Sequence, residues 1–337
     1  MISKELERLL QRVQKPARYV GGEVNAVVKR KEDVDVRFAF CFPDVYEVGM
    51  SHLGMKILYG LFNAQPNIWC ERVFAPWTDM EQEMRRIGMP LFALESGEPI
   101  RDFDFIGFTL QYELSFTNVL NMLDLAGVPL RSADRTELSP LVVAGGPCVC
   151  NAEPLADFVD LMFLGEGEEV DLEVIDLYRR FRDEGRSKRE FLAAAAQIPG
   201  VYVPALYDVS YHEDGTVAAI TPKDGAPATV KKRVMMDMDR SYFPKDFVVP
   251  FLDIVHDRAV AEVFRGCIRG CRFCQAGFIY RPVREKSVDT VSRQCRDLCE
   301  NTGYDEVSLS SLSTSDYSEI NPLLDKLLTW TEGEKVK

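Results

Sequence analysis

Apolar positions along this chain follow two rhythms, one of continuous short runs and one of helical spacing, and the two alternate. Near the start, Leu6, Leu9, Leu10 and Val13 recur at helical spacing and predict a short amphipathic helix. Residues 15–34 are polar, contain Gly21-Gly22, and read as a connecting arm. Val36–Phe42 reads as a buried strand, and residues 51–62 as a helix with Leu53, Ile57, Leu58 and Leu61 inward. A strand over residues 70–74 and a helix after Trp77 follow, then an apolar run Phe105–Leu110 and a helix with Phe116, Leu120 and Leu123 on one face. Residues 141–146 form a strand ending in two glycines, Leu161–Leu164 a short strand, and the helix after Gly167 buries Val170, Val174, Leu177, Tyr178 and Phe181. Strands alternating with helices predict an α/β domain, a Rossmann-like open, mostly parallel sheet with helices on both faces, over residues 36–198. Ligands of such sheets sit at the carboxyl ends of the strands.

Residues 199–257 break the rhythm. Val201–Ser210 and Thr216–Ile220 are strand-like around the turn His212–Gly215, and Pro222, Pro227, Pro244 and Pro250 punctuate the rest, so this stretch reads as a linker with a small β element. From residue 258 the alternation resumes: a strand at Ala259, a cysteine-containing loop, a helix from Ser287, a strand over Glu306–Leu312 and a helix from Asp316, with Ser287 and Asp316 as N-caps. A full (β/α) barrel takes about 250 residues. Two strand–helix units over 258–337 are therefore expected to be the start of a partial barrel, and the chain an N-terminal piece of a longer protein.

Composition narrows the class. No apolar run reaches the roughly 18 residues of a membrane span, and the first residues lack the basic-then-apolar pattern of a secretory leader, so a cytoplasmic protein without membrane contact is expected. The net charge of −13 argues against a general nucleic-acid coat. A local basic cluster is nevertheless present in Arg265, Arg269, Arg272, Arg281, Arg284 and Lys286, readable as solvated loop charge or as an anion-binding site. The nine cysteines suggest reduced thiols rather than a disulfide framework. Cys41 falls in an apolar run, and Cys295 shares a helical face with Val288, Val291 and Leu298, so both are expected to be packing residues.

Three cysteines stand apart. Cys267-Ile-Arg-Gly-Cys271-Arg-Phe-Cys274 directly follows a predicted strand, with glycines at 266, 270 and 277 to let the loop turn tightly. Thiolates are soft ligands suited to iron–sulfur clusters and zinc. Three of them at this spacing can wrap one face of a [4Fe–4S] cubane and leave its fourth iron open. Zinc would ask for a fourth protein ligand, and no histidine or further cysteine lies close behind Cys274.

Residues 262–277 resemble the signature of the radical S-adenosylmethionine (SAM) superfamily. The resemblance implies a [4Fe–4S] cluster on Cys267, Cys271 and Cys274, with SAM chelating the fourth iron. It implies reductive cleavage of SAM to a 5′-deoxyadenosyl radical, an external one-electron reductant such as flavodoxin or ferredoxin, and Phe273 near the adenine. The Gly-Gly-Glu that usually grips the methionyl amine is replaced by Leu309-Ser-Ser-Leu-Ser-Thr-Ser-Asp-Tyr317. There Ser311 and Ser313 could supply oxygen acceptors for SAM, while Ser315-Asp316 equally reads as a helix cap. The catalytic residues and the substrate are not legible.

Over residues 36–185 the chain is similar to the domain that precedes the barrel in cobalamin-type radical enzymes. The stretches Phe42-Pro-Asp-Val-Tyr-Glu-Val-Gly-Met-Ser-His-Leu-Gly54, Gly145-Gly146-Pro147 and Phe163-Leu-Gly-Glu-Gly-Glu-Glu169 carry this likeness. Together with the arm Lys15-Pro-Ala-Arg-Tyr-Val-Gly-Gly-Glu23, they look most like an uncharacterised bacterial family with a cobalamin-binding-like domain before a radical SAM barrel. The lower-ligand pattern Asp-x-His-x-x-Gly is not met, because position 50 is Met and Gly54 falls one residue early after His52. His52 therefore reads as a hydrogen-bonding residue rather than a cobalt ligand, although a glycine-lined crevice could still hold cobalamin without it. Asp44 and Glu47 sit in the loop where a site is expected but carry no assignable reaction, and the acidic run at 166–169 equally suits a helix start. Two other classes stay open: a structural or regulatory iron–sulfur or zinc module without radical chemistry, and an RNA-associated protein using the arginines of the cysteine loop.

Overall fold

The computed structural model describes residues 3–334 and 336. The first helix, α1 (Lys4–Leu10), is capped by Ser3 and buries Leu6 and Leu9. Five parallel strands follow: β1 (Val36–Phe42), β2 (Ile68–Phe74), β3 (Phe105–Thr109), β4 (Leu141–Gly145) and β5 (Leu161–Phe163). Between them run the single turn α2 (Tyr46–Gly49), then α3 (Leu53–Ala64), α4 (Thr78–Ile87) and α5 (Phe116–Ala126). After β5 come α6 (Gly167–Asp183), α7 (Lys188–Ala195) and β6 (Val201–Tyr202). The sheet order is β2-β1-β3-β4-β5-β6, and β6 is antiparallel to β5.

Alternation along β1 shows why the sheet is covered twice. Phe38, Phe40 and Phe42 enter a core with Met55, Phe62, Val174 and Tyr178, whereas Ala39 and Cys41 enter another with Met80, Met84, Val119 and Leu123. Helices α3 and α6 thus cover one face and α4 and α5 the other. A strand buried on both sides is apolar throughout, which is why β1 is legible to the residue. Val201-Tyr202 corrects the expected boundary at residue 198, since the last sheet strand comes from the segment read as a linker.

The linker's β element is the exposed hairpin β7 (Tyr207–Tyr211) and β8 (Val217–Pro222), turned at Gly215. The second unit contains β9 (Ala259–Glu262), β10 (Phe264–Arg265), the turn α8 (Ala276–Ile279), β11 (Arg284–Glu285), α9 (Val288–Thr302), β12 (Val307–Ser310) and α10 (Ile320–Glu334). β9 and β12 pair in parallel, two β/α units in succession. Their core gathers Ala259, Ala261, Val291, Cys295, Leu298, Leu323 and Trp330, so Cys295 is a packing residue. Ser287 caps α9 by accepting from Thr290 N–H, as its sequence predicts. Asp316 does not cap α10. It lies in a single 3-10 turn, Thr314–Asp316, and receives Arg269 instead.

The arm is not a loose connection. Arg72 of β2 is buried, and its guanidinium donates to Glu23 of the arm at 2.8 and 3.1 Å and to Glu95 at 2.6 Å. Tyr46 donates to the same Glu23 at 2.8 Å. Val24 bridges Val249, and the Asn25 amide donates to the carbonyls of Phe247 and Asn301, which ties the arm to the second unit. Among the described residues no helix is long and apolar enough to cross a membrane.

Candidate functional site

The strand order reverses between β1 and β3, and a cavity of about 420 Å³ opens at their carboxyl ends. One wall comes from the sheet: Phe40, Thr109, Gly145 and the loop Gly165–Glu168. The facing wall comes from the second unit, with Phe264, Arg265 and Gly266 entering the cysteine loop, Tyr280 leaving it, and Ser311 after β12. The cavity thus reaches the two flanks of the cysteine loop, whereas Cys267, Cys271 and Cys274 lie outside its lining.

His52 shows what the first wall offers. Its Nδ1 accepts from Met55 N–H at 3.1 Å, which caps α3. An imidazole accepting at Nδ1 carries its proton on Nε2, and Gln111 is its side-chain partner. Burial pushes the ring down to about 4, so it stays neutral. The cap at Nδ1 and the contact with Gln111 are in keeping with a hydrogen-bonding role. Asp44 and Glu47 are likewise engaged: Tyr112 donates to Asp44, and Lys15 and Arg18 pair with Glu47, each at 2.9 Å.

An ion-pair ring joins the walls. Glu166 receives Arg284 Nη1 at 2.7 Å on both oxygens, accepts from Met235 N–H, and stands 3.6 Å from Arg265. Glu168 meets Arg265 at 2.6 Å, and Glu262 meets it at 2.9 Å. Burial alone would lower the Arg265 guanidinium, but the charges of Glu262 and Glu168 outweigh it and raise it. Burial pushes the Lys286 ammonium down to about 8 against the pull of Glu262. Arg265, Arg284 and Lys286 are thus internal counter-charges, and Arg269 pairs with Asp316. Of the six basic residues, only Arg272 and Arg281 lack a carboxylate partner among the described residues. For Arg265, Arg284 and Lys286 this corrects the reading as solvated charge or an open anion site, whereas Arg269, Arg272 and Arg281 are exposed, as solvated loop charge would be.

Backbone shape brings the loops close. Gly165 has φ +106°, and a Cβ there would stand 2.0 Å from the Arg233 carbonyl oxygen. Gly266 has φ +91°, and its Cβ would stand 2.6 Å from the Pro282 carbonyl oxygen. Gly277, by contrast, lies in α8 at ordinary dihedrals.

Cys267, Cys271 and Cys274 are free thiols between β10 and α8, with Cys271 exposed and the others half-buried. Arg269 N–H points to Cys267 Sγ at 3.5 Å, and Cys274 N–H donates to the Cys271 carbonyl at 3.1 Å. Among the described residues no three metal-ligating side chains are already gathered. The loop fits a cluster by its donors: three soft thiols with no interleaved carboxylate or imidazole, and a backbone N–H directed at sulfur, which tunes such sites. Phe273 is 93% exposed at the loop's tip. Ser311 lies on the cavity wall with its hydroxyl 2.9 Å from that of Thr314, whereas Ser313 donates to Asp316 at 2.7 Å.

Two cavity residues escaped sequence reasoning. Cys150 is exposed at the cavity while most other cysteines outside the loop are buried. Asp171 heads the buried stripe Val174, Ile175 and Tyr178 on α6, and an acid on an apolar helical face was the available signal.

Comparison with known proteins agrees with this architecture. Residues 54–204 match the family described as radical SAM proteins, N-terminal. An uncharacterized protein of Methanocaldococcus jannaschii is 26% identical over 296 residues, covering 86% of this chain and 52% of that protein. The chain thus spans about half the length of the curated relative it matches. The radical SAM methyltransferase TsrM from Kitasatospora setae, solved with cobalamin and a [4Fe–4S] cluster, aligns with a TM-score of 0.52 at 13% identity, covering 89% of this chain and 53% of that one. With tryptophan substrate and aza-SAM bound, TsrM gives a TM-score of 0.50 at 13% identity, covering 89% and 52%. At that identity the likeness concerns the fold, a mixed α/β architecture with a mostly parallel six-stranded sheet.

Proposed function

We propose that this chain, similar to radical SAM proteins in sequence and in fold, forms the cofactor-binding part of a cobalamin-dependent radical SAM enzyme. The observation that carries this reading is the shared wall, because the crevice at the sheet's carboxyl ends is closed by the two flanks of the three-cysteine loop. In this reading Cys267, Cys271 and Cys274 would hold a [4Fe–4S] cluster, and the cavity would hold a corrin. When bound and reduced, the cluster supplies the electron that cleaves SAM. The chain's own residues provide position and exclusion. The Glu166–Arg284 and Glu168–Arg265 pairs fix the loop's flanks against the sheet, and Phe40, Phe264 and Tyr280 present apolar surface to the cavity. In this reading Ser311 accepts from a SAM amine and exposed Phe273 lies against its adenine, while Ser313 is engaged by Asp316. Exposed Ile268, with Arg272 and Arg281 that lack a carboxylate partner among the described residues, offers a docking rim for an acidic one-electron carrier such as a flavodoxin or ferredoxin.

Anaerobic reconstitution with iron and sulfide tests this. The chain should take up about four irons with thiolate-to-iron absorption and bind hydroxocobalamin, and the full-length protein should release 5′-deoxyadenosine on reduction with SAM. Alanine at Cys267, Cys271 or Cys274 should abolish iron retention, whereas Cys295→Ala should keep it. Bound zinc with no iron would instead support a structural metal module.

A further inference from the structure

Asp171 is a buried polar side chain in the cavity wall with an oxygen that no described residue bonds. It lies one turn into α6, on the stripe that continues as Val174, Ile175 and Tyr178, and is only 7% exposed. Its carboxyl reaches back over the first turn, and glycine at 167 leaves the room, since a Cβ there would stand 2.6 Å from Oδ2. Gly167 and Asp171 both line the cavity. Oδ1 has no hydrogen-bond partner, and among the described residues no cation pairs with this carboxyl. Such an arrangement is unusual, because buried polar atoms are nearly always bonded. An apolar side chain would suit the stripe at least as well.

Burial, followed by the charge of Glu168, raises this carboxyl well above the usual carboxylate range. The neutral acid presents one O–H donor beside one carbonyl acceptor. A group with the matching pair, an acceptor beside a donor, is a primary carboxamide, which closes a two-bond ring with a carboxylic acid. An anionic ligand group offers no donor for the carbonyl oxygen, and the neighbouring Glu166 and Glu168 are already paired with Arg284 and Arg265. Corrins carry primary carboxamides around their rim.

We infer that Asp171 binds a peripheral carboxamide of the corrin held in this cavity, a contact that rests on the corrin reading given above. The contact orients the macrocycle; it takes no part in bond making.

The test is equilibrium binding of hydroxocobalamin to the wild-type 337-residue chain, Asp171→Asn and Asp171→Leu, with thermal melting as the folding check. Wild type is also titrated with cobalamins in which single carboxamides have been hydrolysed to carboxylic acids. Asp171→Leu should melt no lower than wild type and bind about tenfold more weakly, the scale of a lost buried hydrogen-bonded contact. Asp171→Asn should stay within about threefold, since an amide pair keeps both bonds, and one hydrolysed cobalamin should lose affinity for wild type. Equal binding by wild type and folded Asp171→Leu overturns the inference and leaves the corrin reading standing. If Asp171→Leu does not fold, undiminished binding of every hydrolysed cobalamin overturns it. Wild type that binds no cobalamin overturns the corrin reading, and this contact with it.

Discussion

Replacing Glu166 with alanine should loosen the cysteine loop while leaving the parallel sheet intact. The Arg284 side chain is 5% exposed and gives Glu166 two 2.7 Å contacts. Removing one partner of a buried pair costs about 3–5 kcal/mol, because the other charge is left uncompensated. Here Arg284 keeps the carbonyls of Pro282 at 2.9 Å and Met235 at 2.8 Å, and Arg265 keeps Glu168 and Glu262. The loss should therefore fall near the lower limit, about 3 kcal/mol. Glu166→Gln retains one acceptor and should cost about half as much, on the order of 1–2 kcal/mol. Hydrogen exchange resolved by peptide is the assay. At 1.4 kcal/mol per tenfold, amides over residues 262–286 should exchange roughly 100-fold faster in Glu166→Ala through local opening, while those of β1 and β3 should not change. Exchange over 262–286 within threefold of wild type would show that the ion-pair ring does not hold the loop.

Two further substitutions probe the same site. His52 is held at about 4 in the folded protein, below its unfolded value of about 6.5, so the unfolded chain binds the extra proton first. Stability from this residue is complete above pH 6.5 and is lost as pH falls toward 4, by roughly 3 kcal/mol. His52→Asn, which can still cap α3, should flatten that part of a melting-temperature profile; an unchanged slope would count against it. Gly165→Ala places a Cβ against the Arg233 carbonyl at positive φ, so it should destabilise by about 1–3 kcal/mol or more in urea unfolding. A change below 0.5 kcal/mol would mean that the β5–α6 loop yields freely.

What the sequence makes legible follows from distance along the chain. β1 and the buried face of α6 are readable because their periodicity is local. α7 escaped although Ser187 and Glu190 form its capping box, since eight residues carry little periodicity. β6 escaped because two residues, Val201 and Tyr202, make no pattern and owe their place to β5. Asp316 has the chemistry of a cap, but Arg269, 47 residues upstream, competes for it. The basic cluster shows the same limit. Sequence reveals six charges around three cysteines, whereas Glu166 and Glu168, which pair with Arg284 and Arg265, sit about a hundred residues earlier, after β5.

The arm has a practical bearing on where this protein can be cut. Periodicity invites an expression clone starting at Val36, where the sheet begins, yet Glu23 would then be lost while Arg72 remained inside. Arg72 would keep Glu95, so the loss should fall near the lower end of the about 3–5 kcal/mol for breaking a buried pair, set against a typical domain stability of about 5–15 kcal/mol. A truncation that spares every strand and helix of the sheet could therefore still leave a marginal product. A counter-ion in a stretch with almost no regular structure thus bears on the smallest autonomous unit, and within a library of N-terminal deletions solubility should fall further between starts at residues 22 and 24, well ahead of the first strand.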